Sequence, residues 1–201
     1  SLSFYDPALL YKEIESKIEY TGYVTNPKQE KHKRLNNKVY VSVGLNKEES
    51  LSIFSNILRA AKDFPELDFI VLMANKKLKN KIGIRKKSNI LAVDYIPNLS
   101  KLVESSTMFI TYGGYNSTME IISSGTPSII IPREDGGKVE QFVRSYVMKP
   151  YDLFKVCSVR DLKNISKYIR EILNEYDEFP KNCEFDLDGT RKTAKILLEY
   201  N

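Results

Sequence analysis

The sequence predicts an α/β domain with a Rossmann-like, doubly wound parallel sheet, and three observations carry that prediction. Short, near-continuous apolar runs rich in Val and Ile recur along the chain. Segments with apolar residues at helical spacing separate them. The 201 residues, 42% of them hydrophobic, suffice for one full core. Strands that lack polar alternation are buried on both faces, which a parallel sheet covered by helices on each side provides.

The elements follow in order. Asp6-Pro7, then Ala8, Leu9, Leu10, Tyr11 and Ile14, predict a short capped helix with Pro in its first turn, where a missing N–H does no harm. Lys17–Val24 reads as extended, and the polar stretch Thr25 to Asn37, with Pro27 and several Lys, as a loop. The regular alternation then begins. Strands are predicted at Lys38–Val43, Asp68–Met73, Asn89–Val93, Met108–Thr111 and Ser128–Ile131. Helices are predicted at Glu48–Lys62 (Leu51, Phe54, Leu58, Ala61 on one face), Lys76–Lys81, Leu99–Ser105, Ser117–Ser124 and Lys138–Met148. A further helix runs from Ser158 or Asp161 to Asn174, a polar bend passes through Pro180 and Asp186-Leu187-Asp188-Gly189, and a last helix starts at Thr190.

Bulk properties exclude several classes. No run of about eighteen apolar residues occurs and the start lacks the tripartite order of a signal peptide, so a cytoplasmic location is expected. The first residue is Ser1 rather than Met, which points to a piece of a longer protein. Cys157 and Cys183 lack a C-x-x-C spacing, and neither a disulfide framework nor a zinc site is suggested. Part of the net charge of +5 comes from Lys76, Lys77, Lys79, Lys81, Arg85, Lys86 and Lys87. That stretch reads as a solvated face or as a peripheral contact with an anionic membrane surface. It lacks the interleaved aromatics of single-stranded nucleic-acid binders, and no nucleic-acid partner is expected.

Ligands of open parallel sheets sit outside the carboxyl ends of the strands. There Met108–Thr111 runs into Tyr112-Gly113-Gly114-Tyr115-Asn116-Ser117-Thr118 and a helix. Paired glycines let a phosphate approach the backbone, and the free N–H groups of the helix start favour its charge. The same glycines also suit any sharp strand-to-helix turn. Glu120, in the first turn of that predicted helix, is placed either to accept from ribose hydroxyls or to close a capping box on Ser117. There is no G-x-x-x-x-G-K-[ST], which excludes a P-loop. Gly44-Leu45-Asn46-Lys47 offers a single glycine after the first strand, against a dinucleotide-dependent oxidoreductase.

The stretch Gly113-Gly114-Tyr115-Asn116-Ser117-Thr118-Met119-Glu120, then Gly125-Thr126-Pro127, Ile129-Ile130-Ile131-Pro132-Arg133 and Glu140-Gln141, resembles the C-terminal domain of family 28 glycosyltransferases. Upstream, Tyr20–Val24, Val41–Gly44 and Asp94–Asn98 resemble the interdomain connection, first phosphate loop and base-side loop of that group. The resemblance implies one half of a two-domain enzyme of GT-B type, with residues 1–24 as leading helix and connection and 25–201 as the nucleotide-sugar-binding domain. It implies that Gly113, Gly114, Ser117 and Thr118 line the diphosphate with Gly44, that Asn116 belongs to the donor site, and that Glu120 holds the ribose. Tyr95 and Ile96 would lie beside the base unless they only pack, and Glu140 and Gln141 would meet donor-sugar hydroxyls unless they are a plain exposed pair. Leu45 stands where relatives often have a second glycine, which weakens the part given to Gly44 and Asn46.

By the same resemblance the donor is a nucleoside diphosphate sugar, expected to be a UDP-sugar, and transfer inverts the anomeric centre without metal or cofactor. The acceptor and the general base belong to an N-terminal domain or partner subunit, so no catalytic residue is expected here and the chain alone is expected to be inactive. His32 reads as a solvated loop residue, and Asp186-Leu187-Asp188 as turn chemistry rather than a metal site. Half of a nucleotide-sugar epimerase and a non-catalytic phosphate-binding module are the alternatives.

Overall fold

The computed structural model describes residues 17–25, 37–43, 49–74, 77, 89–133, 139–175 and 185–199. Six strands form one sheet: β1 (Lys38–Ser42), β2 (Asp68–Leu72), β3 (Ile90–Val93), β4 (Met108–Thr111), β5 (Ser128–Ile130) and β6 (Lys155–Val156). All pairings are parallel and the order is β3-β2-β1-β4-β5-β6. The α-helices are α1 (Glu49–Ala60), α2 (Leu99–Glu104), α3 (Tyr115–Ser124), α4 (Val139–Met148), α5 (Ile165–Asn174) and α6 (Gly189–Glu199).

The alternation of side chains across a strand explains the two apolar layers. Val39, Val41, Phe69, Val71, Met108, Ile110 and Ile129 face one side and pack with Ile53, Phe54 and Ile57 of α1 and Ile165, Ile169 and Ile172 of α5. Tyr40, Phe109 and Ile130 face the other side, with Val103 of α2, Met119, Ile121 and Ile122 of α3 and Met148 of α4. Every residue of β4 is buried, as a central strand covered on both faces must be. The sheet is doubly wound, as the apolar runs predict.

The differences from the sequence reading have physical reasons. β6 was not foreseen because it is two residues long and begins with Lys155, too little for a periodicity. The segment expected to be extended, Lys17–Val24, forms no strand among the described residues; it makes a single antiparallel bridge, Val24 to Asp188. The helix expected over 158–174 opens as a 3₁₀ stretch, Val159–Asn164, capped by the Ser158 hydroxyl, which accepts from the Arg160 N–H at 3.1 Å. α3 begins at Tyr115 rather than Ser117, because Gly114, with φ −57° and ψ 159°, takes the cap position. The expected helix at 6–14, most of the basic stretch 76–87, His32, Gly44, Asn46 and Cys183 lie outside the described residues.

The segment 20–25 and the start of α6 are clasped together. Tyr23 N–H donates to the Asp186 carbonyl at 2.7 Å, and Gly189 N–H to the Tyr23 carbonyl at 3.1 Å. Gly22 has φ +93°, and a Cβ there would meet Asp186 Cγ at 2.7 Å. Asp186 pairs with Lys192, and Asp188 accepts two bonds from Arg191 at 2.8 and 2.5 Å. The Asp186-Leu187-Asp188 carboxylates are thus engaged by neighbouring cations, and the Asp188 N–H donates to Asp186 Oδ1 at 3.2 Å in the manner of a turn.

Candidate functional site

The strand order reverses direction between β1 and β4, whose ends are in register, Ser42 beside Thr111. The helix after β1 covers one face and the helix after β4 the other, which makes this the switch point where open α/β sheets form their ligand crevice. The turn 112–114 follows β4 at that point.

The two glycines of the turn differ. Gly113 has φ +69°, and a Cβ there would meet Ile130 Cγ2 at 2.6 Å, so both conformation and space require glycine. A Cβ on Gly114 would meet nothing within 4 Å, which leaves that side of the backbone open to a ligand. The first helical bond of α3 runs from Thr118 N–H to the Gly114 carbonyl at 2.9 Å. Helix geometry leaves the N–H groups of Tyr115, Asn116 and Ser117 without an intrahelical acceptor, and the cap residue, Gly114, supplies no side-chain bond. A strand, an open glycine and a helix start whose first N–H groups lack intrahelical acceptors are the arrangement that anion-binding turns use.

The early start of α3 moves Glu120 into the second turn and removes the capping box, since Ser117 lies inside the helix. The Glu120 carboxylate instead accepts from the Ser100 hydroxyl of α2 at 2.5 Å. Ser100 follows the loop 94–98, so the bond ties the second turn of α3 to the start of the helix beyond that loop. The loop divides the pair expected there: Tyr95 is 76% exposed, while Ile96 is buried in the layer with α2 and α3. Asn116 is exposed and Ser117 half-buried, whereas Thr118 is buried and turns its hydroxyl onto the Gly113 carbonyl at 3.2 Å. Thr118 therefore shapes the turn from within.

On α4, Glu140 is exposed and forms an ion pair with Arg144, whose side chain is only 3% exposed. Arg144 Nη1 also donates to the Gly113 carbonyl at 3.2 Å, and its guanidinium lies 5.6 Å from the centre of the Tyr115 ring. Burial pulls the Arg144 pKa below its ordinary value, opposed by Tyr115 and Tyr23. The buried Gln141 Oε1 has no hydrogen-bond partner among the described residues. Arg133, buried at the end of β5, stacks over Tyr112 at 5.8 Å. Burial raises the Tyr23 pKa, reinforced by Tyr115 and Tyr151, and the Tyr115 hydroxyl accepts from the Val24 N–H at 3.0 Å.

Sequence reasoning missed Arg144, Tyr115 and Ser100. A signal existed for Arg144: the inward stripe of α4 holds Arg144, Ser145 and Met148, and an arginine on an inward stripe needs a reason to be there.

Comparisons with known proteins identify the family. Residues 23–194 match the glycosyltransferase family 28 C-terminal domain, and the chain belongs to that family. A Bacillus subtilis (strain 168) protein described as the uncharacterized UDP-glucosyltransferase YojK is 28% identical over 170 residues, which cover 81% of this chain and 40% of that protein. The chain thus spans less than half the length of this relative. Among solved structures, the glycotransferase of kitacinnamycin aligns with TM-score 0.62 at 14% identity, over 81% of this chain and 43% of that one. UDP-GlcNAc 2-epimerase from Neisseria meningitidis, bound to UDP-GlcNAc, aligns with TM-score 0.59 at 15% identity, over 82% of this chain and 45% of that one. Transferase and epimerase share the fold, so the fold does not choose between them; the family match selects the sugar-donor domain of a glycosyltransferase. No helix among the described residues is long and apolar enough to cross a membrane.

Proposed function

We propose that the chain binds a UDP-sugar in the crevice beside the glycine turn and serves as the donor half of a glycosyltransferase whose acceptor site and general base lie in another domain or subunit. The carrying observation is the turn itself, with Gly113 locked by its surroundings and Gly114 facing open space at an uncapped helix start. The diphosphate sits against the backbone at Gly113, Gly114, Asn116 and Ser117, with Gly44 as a further contact. Glu120 takes the ribose hydroxyls, Ile96 and Tyr95 border the base, and Glu140 and Gln141 meet the sugar. The partnerless Gln141 Oε1 supports this last contact, because a buried acceptor without a donor is costly until a hydroxyl reaches it.

Chemically, transfer from such a donor requires a leaving diphosphate to be stabilised as its charge develops, which fixed N–H groups and a helix start do without a metal. Residues 1–24 form the connection to the acceptor side in this reading, and the basic stretch 76–87 is a peripheral contact with an anionic membrane surface. Calorimetry tests the donor reading: the chain binds UDP, and Glu120→Ala weakens UDP by about tenfold while leaving 2′,3′-dideoxy-UDP nearly unchanged, the loss expected for a hydrogen-bonded carboxylate. Equal binding of unrelated polyanions would replace it with a general phosphate-binding module. Sugar transfer by the isolated chain would contradict the assignment of the base to another domain.

A further inference from the structure

The carbonyl of Gly113 and the N–H of Gly114 belong to one planar trans peptide and point in opposite directions. The carbonyl is held from inside by two buried side chains, the Thr118 hydroxyl and the Arg144 guanidinium, each at 3.2 Å. Whatever fixes that carbonyl inward therefore directs the Gly114 N–H outward, toward the side where a Cβ would meet nothing within 4 Å.

Arg144 is not held by the turn alone. Its other end meets Glu140 on the preceding turn of α4, and its central carbon lies 5.6 Å from the ring centre of Tyr115, the first residue of α3. A single side chain thus joins the carbonyl of the turn, the start of α3 and the carboxylate at the start of α4. Burying a guanidinium is unfavourable unless partners surround it, and these partners are all parts of the proposed donor site.

We propose that Arg144 is a positioning residue for diphosphate recognition: it sets the Gly113–Gly114 peptide so that the Gly114 N–H faces the ligand, and places a positive charge behind that peptide. The inference rests on the reading of the turn as a diphosphate seat. It assigns Arg144 no contact with the reacting atoms. Its contribution appears only in the part of the affinity that comes from the phosphates.

Titration of the full chain, and of Arg144→Gln and Arg144→Lys, with UDP and with uridine tests it, after circular dichroism has established that each variant is folded. The ratio of UDP to uridine affinity falls by about tenfold or more in Arg144→Gln, the scale of one charge-assisted hydrogen bond, while uridine affinity stays. Arg144→Lys restores part of the ratio, since it returns the charge without the planar fork. A purely structural role lowers both ligands together, and an unchanged ratio in the folded variants overturns the proposal. Should neither variant fold, the Gly114 amide resonance of the wild type decides: it moves downfield with UDP and not with uridine, and no movement refutes the inference. A wild type that binds UDP no better than uridine removes the diphosphate seat itself, and the proposal with it, which separates that failure from the failure of Arg144 alone.

Discussion

Two arginines of this domain each meet a carboxylate one helical turn earlier, and they have little else in common. Arg191 on α6 pairs with Asp188 at 2.5 Å with 82% of its side chain exposed. Arg144 on α4 pairs with Glu140 with 3% exposed, and reaches on to a backbone carbonyl of the neighbouring loop. Local spacing is alike, and the surroundings decide what the pair does. In water an ion pair is screened and its partners are exchangeable, so the clasp between 20–25 and 185–193 depends on its backbone bonds and close glycines. Removed from water, the guanidinium is costly unless partners meet it, and those it meets belong to three elements, the turn, α3 and α4.

Substitutions can break this contrast, and the largest effect belongs to the turn. Gly113→Ala adds a Cβ at positive φ and against Ile130, so chemical denaturation should show a loss of about 2–4 kcal/mol from conformation and overpacking together. A loss well below that range would mean that the turn yields, and that the Arg144 bond does not hold it. Gly114→Ala sharpens the distinction between the two glycines. Its added methyl enters open space, so stability changes by about 1 kcal/mol or less, as for a helix cap, while UDP binding measured by calorimetry weakens several-fold.

The smallest effect belongs to the clasp and appears in its pH dependence. The bond from Lys192 holds the Asp186 carboxyl below its usual range, and the bonds from Arg191 do the same for Asp188. Both folded-state values lie below the unfolded ones, so the contribution is complete above the ordinary carboxylate range and is lost as pH falls through the depressed values. Hydrogen exchange at the Gly189 amide should therefore quicken in acid relative to amides of the sheet.

The framework of the fold was legible because it depends on local apolar pattern. Five of the six strands stood out as runs such as Val39-Tyr40-Val41 and Ile129-Ile130-Ile131, and helices α1 to α4 by their apolar spacing. Where a feature depended on what lies across the fold, the pattern was silent. Ser117 looked like a cap by composition, but Gly114 had already taken that position and Tyr115 found a place in the layer beside Tyr23 and Phe185. The glycines and Glu120 were grouped as a candidate site from the strand-to-helix turn and the family resemblance. The partner of Glu120 was not, since Ser100 approaches from another helix. Thr118 was expected to face a ligand and faces the Gly113 carbonyl, a direction that sequence spacing does not encode.

The brevity of β6 has a consequence at the margin of the sheet. An open row of amides along a strand invites a second molecule to add its own strand, and a row of two residues offers too little length for one to align. Lys155, tied to Glu175 at 2.6 Å, sets a charge at the same border. On that side the molecule is protected against side-by-side polymerisation by ending early.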